Sequence, residues 1–119
     1  VLQILGKLKN VHLINPLEYK IFIYLIKYSL LILTDSGGIQ EEASFLGKPT
    51  LLMRETTERP EAIKSGIIKL VGSNKAKIIE NVSVLLNDQL YYDKISKPNH
   101  VYGTGNASHS IVGILKKIL

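Results

Sequence analysis

Four short apolar runs, VHLI (11–14), LLILT (30–34), TLLMR (50–54) and IIKLV (67–71), constrain the fold of this chain more than any other feature. Each has the length of a strand and is rich in leucine or β-branched residues. Continuous apolar strands of this kind belong to a parallel sheet covered on both faces. The segments between them have helical spacing. After Pro16, the positions Tyr19, Phe22, Ile23 and Ile26 predict a helix to about Tyr28. Ile39, Ala43 and Leu46 predict a second helix, which Gly47-Lys48-Pro49 terminates. Pro60 falls where a first helical turn tolerates it, and Gly66 stands where a helix stops. A longer helix follows from about Ala76 to Leu86, then a weaker one around Leu90 to Ile95. The Gly-rich corner YGTGNAS (102–108) leads into a C-terminal helix ending at Leu119. Alternating strands and helices with short connections imply right-handed βαβ units. The expected fold is α/β, a Rossmann-like parallel sheet with flanking helices, amounting to roughly the second half of such a domain.

Composition narrows the chemistry. At 119 residues the chain suits one globular unit and is short for a two-lobed enzyme. It opens on Val rather than Met, and missing sequence upstream is the natural expectation. There is no cysteine, so neither a disulfide nor a thiolate metal site is available. His12, expected on the first strand, and His100 and His109, expected on loop or helix surface, share no metal-ligand spacing. No metal or cofactor is expected, and no nucleophile–base–acid arrangement is present. The net charge of +5 comes from scattered lysines, without a dense basic run or aromatic-basic interleaving. Nucleic acid is therefore not the expected partner; a smaller anion would use such a field equally well. The stretch IFIYLIKYSLLIL (21–33) is broken by Lys27 and Ser29 and falls short of the ~20 residues that span a bilayer. With no leader pattern at the start, a soluble, cytoplasmic chain is expected.

The sequence TDSGGIQEE (34–42) is the most informative local stretch. Ligands of open α/β sheets bind at the carboxyl edge of the strands, where Ser36, Gly37 and Gly38 lie at a helix entry. The first N–H groups of a helix lack internal partners and carry the positive end of its dipole. With the Ser36 hydroxyl and no Cβ at either glycine, these residues form a candidate phosphate cradle. Glu42, one turn beyond Gly38, has an acceptor-only carboxylate suited to paired ribose hydroxyls, whereas Glu41 is rotated by about 100°. A second reading stands beside this one: Ser36 caps the helix and both glutamates favour its positive end. Arg54 and Arg59 leave the carboxyl edge of the following strand. Arg59 is a candidate phosphate fork, with a surface pairing to Glu55, Glu58 or Glu61 as the alternative; Arg54 is read as structural. Spacing alone makes Phe22 a core residue sooner than a ligand stack.

Several segments occur in order and identify a resemblance: PLEYKIF, LILTDSGGIQEEASFLGKP, RETTERPEAIKSG with KLVG, and YGTGNAS. Together they resemble the C-terminal part of the non-hydrolysing UDP-N-acetylglucosamine 2-epimerases, over nearly the whole chain and most weakly in residues 75–97. The resemblance implies the latter portion of the second domain of a GT-B-like two-domain fold, with residues 1–119 a partial UDP-binding domain and the N-terminal domain absent. It implies that Ser36, Gly37 and Gly38 hold the diphosphate, Glu42 the ribose, and Arg59 the UDP portion. Phe22 would stack on uracil, with the backbone near Leu17 also lining the base. The implied reaction interconverts UDP-N-acetylglucosamine and UDP-N-acetylmannosamine, by loss of the C2 proton with expulsion and re-addition of UDP. In the family the acids and bases that move this proton lie in the first domain, so no catalytic residue is expected here. Dimerisation of the complete protein is likewise implied only by the family. Two departures are mild: Ala62 stands where glycine is usual, and Thr104 where an acidic residue is common. A UDP-sugar glycosyltransferase fragment and a non-catalytic UDP-binding remnant are the competing readings.

Overall fold

The structure, a computed structural model, describes residues 2–118. Along the chain run α1 (Leu2–Leu5), α2 (Tyr19–Tyr28), β1 (Ile32–Thr34), α3 (Ile39–Phe45) and β2 (Thr50–Leu52). They are followed by α4 (Pro60–Lys64), β3 (Ile68–Leu70), α5 (Lys75–Asn87), α6 (Gln89–Ile95) and α7 (Ala107–Ile118). The three strands form one parallel sheet in the order β1-β2-β3, with Ile32 opposite Thr50 and Thr50 opposite Ile68. Consecutive parallel neighbours require a crossover each time, and α3 and α4 supply them.

The central strand shows why the sheet is covered on both sides. All three residues of β2 are buried, and successive side chains point to opposite faces. Leu51 joins Val71 and Leu85, against which Ile78, Val82, Tyr91, Tyr92 and Ile95 of α5 and α6 pack. Leu52 joins Ala62, Ile67 and Ile68, flanked by Ile63, Val101 and Tyr102. Each cluster packs on one face, as the continuous apolar strands implied, although Leu33, beside Leu51 on the β1 edge, stays 41% exposed. Caps set the helix limits: Asn74 Oδ1 accepts from Lys77 N at 3.1 Å, and Asp88 Oδ1 from Tyr91 N at 2.9 Å. Helices α2 to α6 begin and end within about two residues of the positions read from spacing; α1 is not among the expected helices, and the expected end of the last helix at Leu119 lies outside the described residues.

One expected strand is absent. The run VHLI carries no regular structure, and Leu13 and Ile14 are 42% and 62% exposed. A strand is defined by its ladder partner, and among the described residues none lies beside this segment. Apolar composition alone cannot supply those hydrogen bonds. His12 is accordingly exposed and outside any strand. The other three runs form strands of three residues each, shorter than the apolar stretches that announce them. The molecule is elongated, 61 × 32 × 25 Å, and α7 buries none of its residues. Among the described residues, no helix is long and apolar enough to cross a membrane.

Candidate functional site

The parallel pairing of β1 and β2 brings their carboxyl ends side by side, and Met53 N donates to Thr34 O at 2.8 Å where the ladder closes. Beyond this point the chain leaves β1 as Asp35-Ser36-Gly37-Gly38 and leaves β2 as the loop that reaches Arg59. Ser36 N donates to Thr34 Oγ1 at 3.1 Å, fixing the first bend. Ser36 does not cap the following helix: the cap position of α3 is Gly38, with no side-chain cap, and Glu41 N turns back to Gly38 O at 2.9 Å. The capping reading of Ser36 is thereby corrected: no side-chain hydrogen bond caps α3.

The glycines are not there to turn the corner. Gly38 has helical backbone, φ −65° and ψ −47°, and neither Gly37 nor Gly38 is among the residues of positive φ. Gly37 instead permits a close approach: a Cβ there would lie 2.9 Å from Glu58 Oε1 on the neighbouring loop. That atom is the mobile end of an exposed side chain, so a small residue at 37 would displace the Glu58 carboxylate rather than the loop itself.

Arg59 completes it. Its Nη1 donates to Gly37 O at 2.9 Å across 22 residues of sequence, and the same nitrogen pairs with the Glu41 carboxylate. Thr57 Oγ1 accepts from Arg59 N at 3.1 Å, tying the loop at its base. The guanidinium lies over the Tyr102 ring, 5.8 Å from its centre. The alternative pairing of Arg59 with Glu55, Glu58 or Glu61 is therefore not the one formed. Glu55 accepts from Ser73 N at 3.2 Å, and Glu58 belongs to Arg54.

Arg54 is structural, as expected. Its Nη1 meets Glu58 Oε2 at 3.1 Å and Oε1 at 3.3 Å on a half-exposed surface. A hydrogen bond from its own backbone N–H, ahead of the charge of Arg54, holds the Glu58 carboxyl below its ordinary value of 4.5. A lowered folded-state value stabilises the protein above the unfolded value and loses that contribution as pH falls through the folded one. Thermal unfolding of Glu58→Gln is thus expected to trail that of the parent chain at pH 7. The gap should close as the pH drops below about 4; a gap that persists at pH 3 contradicts the assignment.

Glu42 occupies a separate part of the corner. It lines a cleft of about 250 Å³ between α2 and α3, together with Tyr19, Ile23, Phe45 and Leu46. Tyr19 Oη donates to Glu42 Oε1 at 3.4 Å, while Oε2 is buried without a partner. A carboxylate oxygen with unspent acceptor capacity suits a hydroxyl-bearing ligand. Phe22 is half-buried on α2, and Leu17 precedes that helix, 37% exposed. Among the described residues, no hydrogen bond or ring contact joins either of them to Ser36, Gly37 or Arg59. The structure therefore joins Arg59 to Gly37, with Gly38 next in the chain, sets Glu42 one turn further along α3, and places Phe22 on α2, the helix that lines the Glu42 cleft.

Sequence reasoning missed Glu41, Tyr19 and Tyr102. Helical phase turns Glu41 aside from Glu42, and that rotation is what aims it at Arg59. Tyr102 carries only the signal of standing in the Gly-rich corner.

Taken together, the parallel sheet with flanking helices and an arginine at its carboxyl edge defines a Rossmann-like unit. Comparison with known proteins sharpens this class. The family model for UDP-N-acetylglucosamine 2-epimerase matches residues 1–116. A UDP-N-acetylglucosamine 2-epimerase of Campylobacter jejuni is 54% identical over 98% of the chain and 30% of its own length. The crystal structure of the Neisseria meningitidis enzyme bound to UDP-GlcNAc superposes with a TM-score of 0.92 at 52% identity, covering 98% of this chain and 31% of that one. A Methanocaldococcus jannaschii epimerase in complex with UDP-GlcNAc and UDP gives 0.79 at 40% identity, covering 95% and 30%. The chain belongs to the UDP-N-acetylglucosamine 2-epimerase family, whose fold is GT-B-like. It spans about 30% of the length of the relatives it matches.

Proposed function

We propose that the chain is the UDP-holding part of an epimerase that interconverts UDP-N-acetylglucosamine and UDP-N-acetylmannosamine. Ser36, Gly37 and Gly38 hold the diphosphate, Arg59 contacts the UDP portion and Glu42 holds the ribose. Phe22 stacks on uracil beside the backbone at Leu17. The observation that carries this reading is the Arg59 Nη1 bond to Gly37 O, 2.9 Å, which puts a permanent cation at the glycine corner.

In the proposed reaction, the C2 proton is removed and the anomeric C–O bond breaks, leaving a glycal and UDP. UDP then returns on the double bond as a proton is delivered to the opposite face of C2. Negative charge grows on the departing diphosphate, and the pre-placed guanidinium and corner N–H groups stabilise it where it forms. The groups that move the C2 proton lie outside these residues, in an N-terminal domain, and the chain alone does not epimerise. The complete protein is a cytoplasmic homodimer in this reading.

Epimerisation by the complete polypeptide, followed by proton NMR of the nucleotide sugar, tests the proposal. Expected is interconversion of the two C2 epimers, with Ser36→Ala and Glu42→Gln each lowering kcat/KM about tenfold through a lost hydrogen bond to a charged group. Sugar transfer to an acceptor without change at C2 would replace this reading with a glycosyltransferase.

A further inference from the structure

We infer that Tyr102 is a positioning residue for Arg59, setting the plane of its guanidinium so that its remaining donors meet the diphosphate; this rests on the reading of Arg59 proposed above. Three groups hold Arg59. Gly37 O and the Glu41 carboxylate both engage Nη1 and fix the direction of one edge. Neither fixes rotation of the group about that edge. The Tyr102 ring does, because the guanidinium carbon stands 5.8 Å from its centre, within reach of the negative potential of the ring face. A cation–π contact consumes no N–H, so Nε and Nη2 stay available for ligand oxygens.

The ring is itself supported by the core. It packs on the cluster of Leu52, Ala62, Ile67 and Ile68, at the carboxyl end of β2 and against α4. Its hydroxyl is buried and makes no hydrogen bond. The hydroxyl thus contributes nothing to holding the ring, and the aromatic face is the part in use. Through Tyr102 the Arg59 guanidinium also bears on the sheet, while Thr57 holds its backbone within the loop. Burial raises the Tyr102 hydroxyl above its ordinary value of 10, with Arg59 acting in the opposite direction. The ring therefore stays neutral at physiological pH.

The test keeps the shape of the ring and changes only its face. Tyr102→Phe, and then a fluorinated phenylalanine series placed at the same position, progressively drains the negative potential of the ring. Side-chain ¹⁵N relaxation of Arg59 is read in the ligand-free 119-residue chain, and UDP affinity by calorimetry. Tyr102→Phe is expected to match the parent within about twofold. Full fluorination should loosen Arg59 and weaken UDP binding roughly three- to tenfold, with thermal stability retained. Combined with Arg59→Gln, fluorination should have no further effect on affinity. Arg59 mobility and UDP affinity that ignore fluorination overturn the inference. A parent chain that binds no UDP defeats the UDP reading instead, while Arg59 relaxation still decides whether Tyr102 holds it.

Discussion

Arg59→Ala is expected to weaken UDP binding about ten- to hundredfold, the largest functional effect of any single substitution in this corner. A hydrogen bond to a charged group contributes roughly 1.5–3 kcal/mol, and tenfold in affinity corresponds to about 1.4 kcal/mol. Two further consequences push in the same direction. Gly37 O loses its donor, and the Glu41 carboxylate is left un-neutralised beside the corner, adding repulsion toward an incoming diphosphate. Repulsion at this distance is only partly screened at physiological salt. Arg59→Lys should fall between the two, since it restores charge without the planar fork. Calorimetric titration of UDP against the three chains checks the order. Equal affinity in all three removes Arg59 from the site.

Gly47→Ala should be the most damaging small change to the fold. Gly47 follows α3 with φ +68°, a backbone conformation that costs a residue with a side chain about 1–2 kcal/mol. Here the space is also taken. A Cβ would stand 2.7 Å from Pro98 N and 2.9 Å from the carbonyl carbon of Lys97. These are backbone atoms, held where Asn99 N donates to Ser44 O at 2.8 Å, so they cannot swing aside as a long side chain would. Overpacking of this kind adds roughly 1–3 kcal/mol. In a chain of this size the two together should lower the unfolding midpoint by about 10 °C or more. Gly66, with φ +82° and no heavy atom within 4 Å of the place a Cβ would take, provides the control. Gly66→Ala should cost only about 1 kcal/mol, the backbone share alone. Thermal unfolding of the two variants separates them, and equal midpoints would contradict the close crossing at Pro98.

How much of this was legible in the sequence follows from the range of the interactions. Helices α2, α3, α5 and α6 are local, so the spacing of Tyr19, Phe22 and Ile26 or of Ile39 and Ala43 reveals them directly. The sheet is non-local. LLILT, TLLMR and IIKLV become strands because each finds a parallel neighbour, whereas VHLI has the same composition and no neighbour among the described residues. The glycine corner was legible as a place, since a strand that stops before Ser-Gly-Gly must deliver those residues to the sheet edge. Its internal wiring was not. The Arg59 contacts with Gly37 and Glu41 depend on the register of β1 against β2, and the contact with Tyr102 on a segment far downstream. Helical phase set Glu41 and Glu42 on different sides correctly. It could not say that the side turned from Glu42 was the one facing Arg59.

The central proposal is that UDP binds at the corner where β1 and β2 end. Backbone and arginine side-chain ¹H–¹⁵N spectra of the chain, recorded as UDP is added, test it most directly. The largest saturable shifts should fall on Ser36, Gly37, Gly38 and the Arg59 guanidinium, with smaller ones on Glu42 and α2 around Phe22. Shifts confined to the opposite edge of the sheet, around Pro49 and Gly66, or no shifts at millimolar UDP, would contradict it.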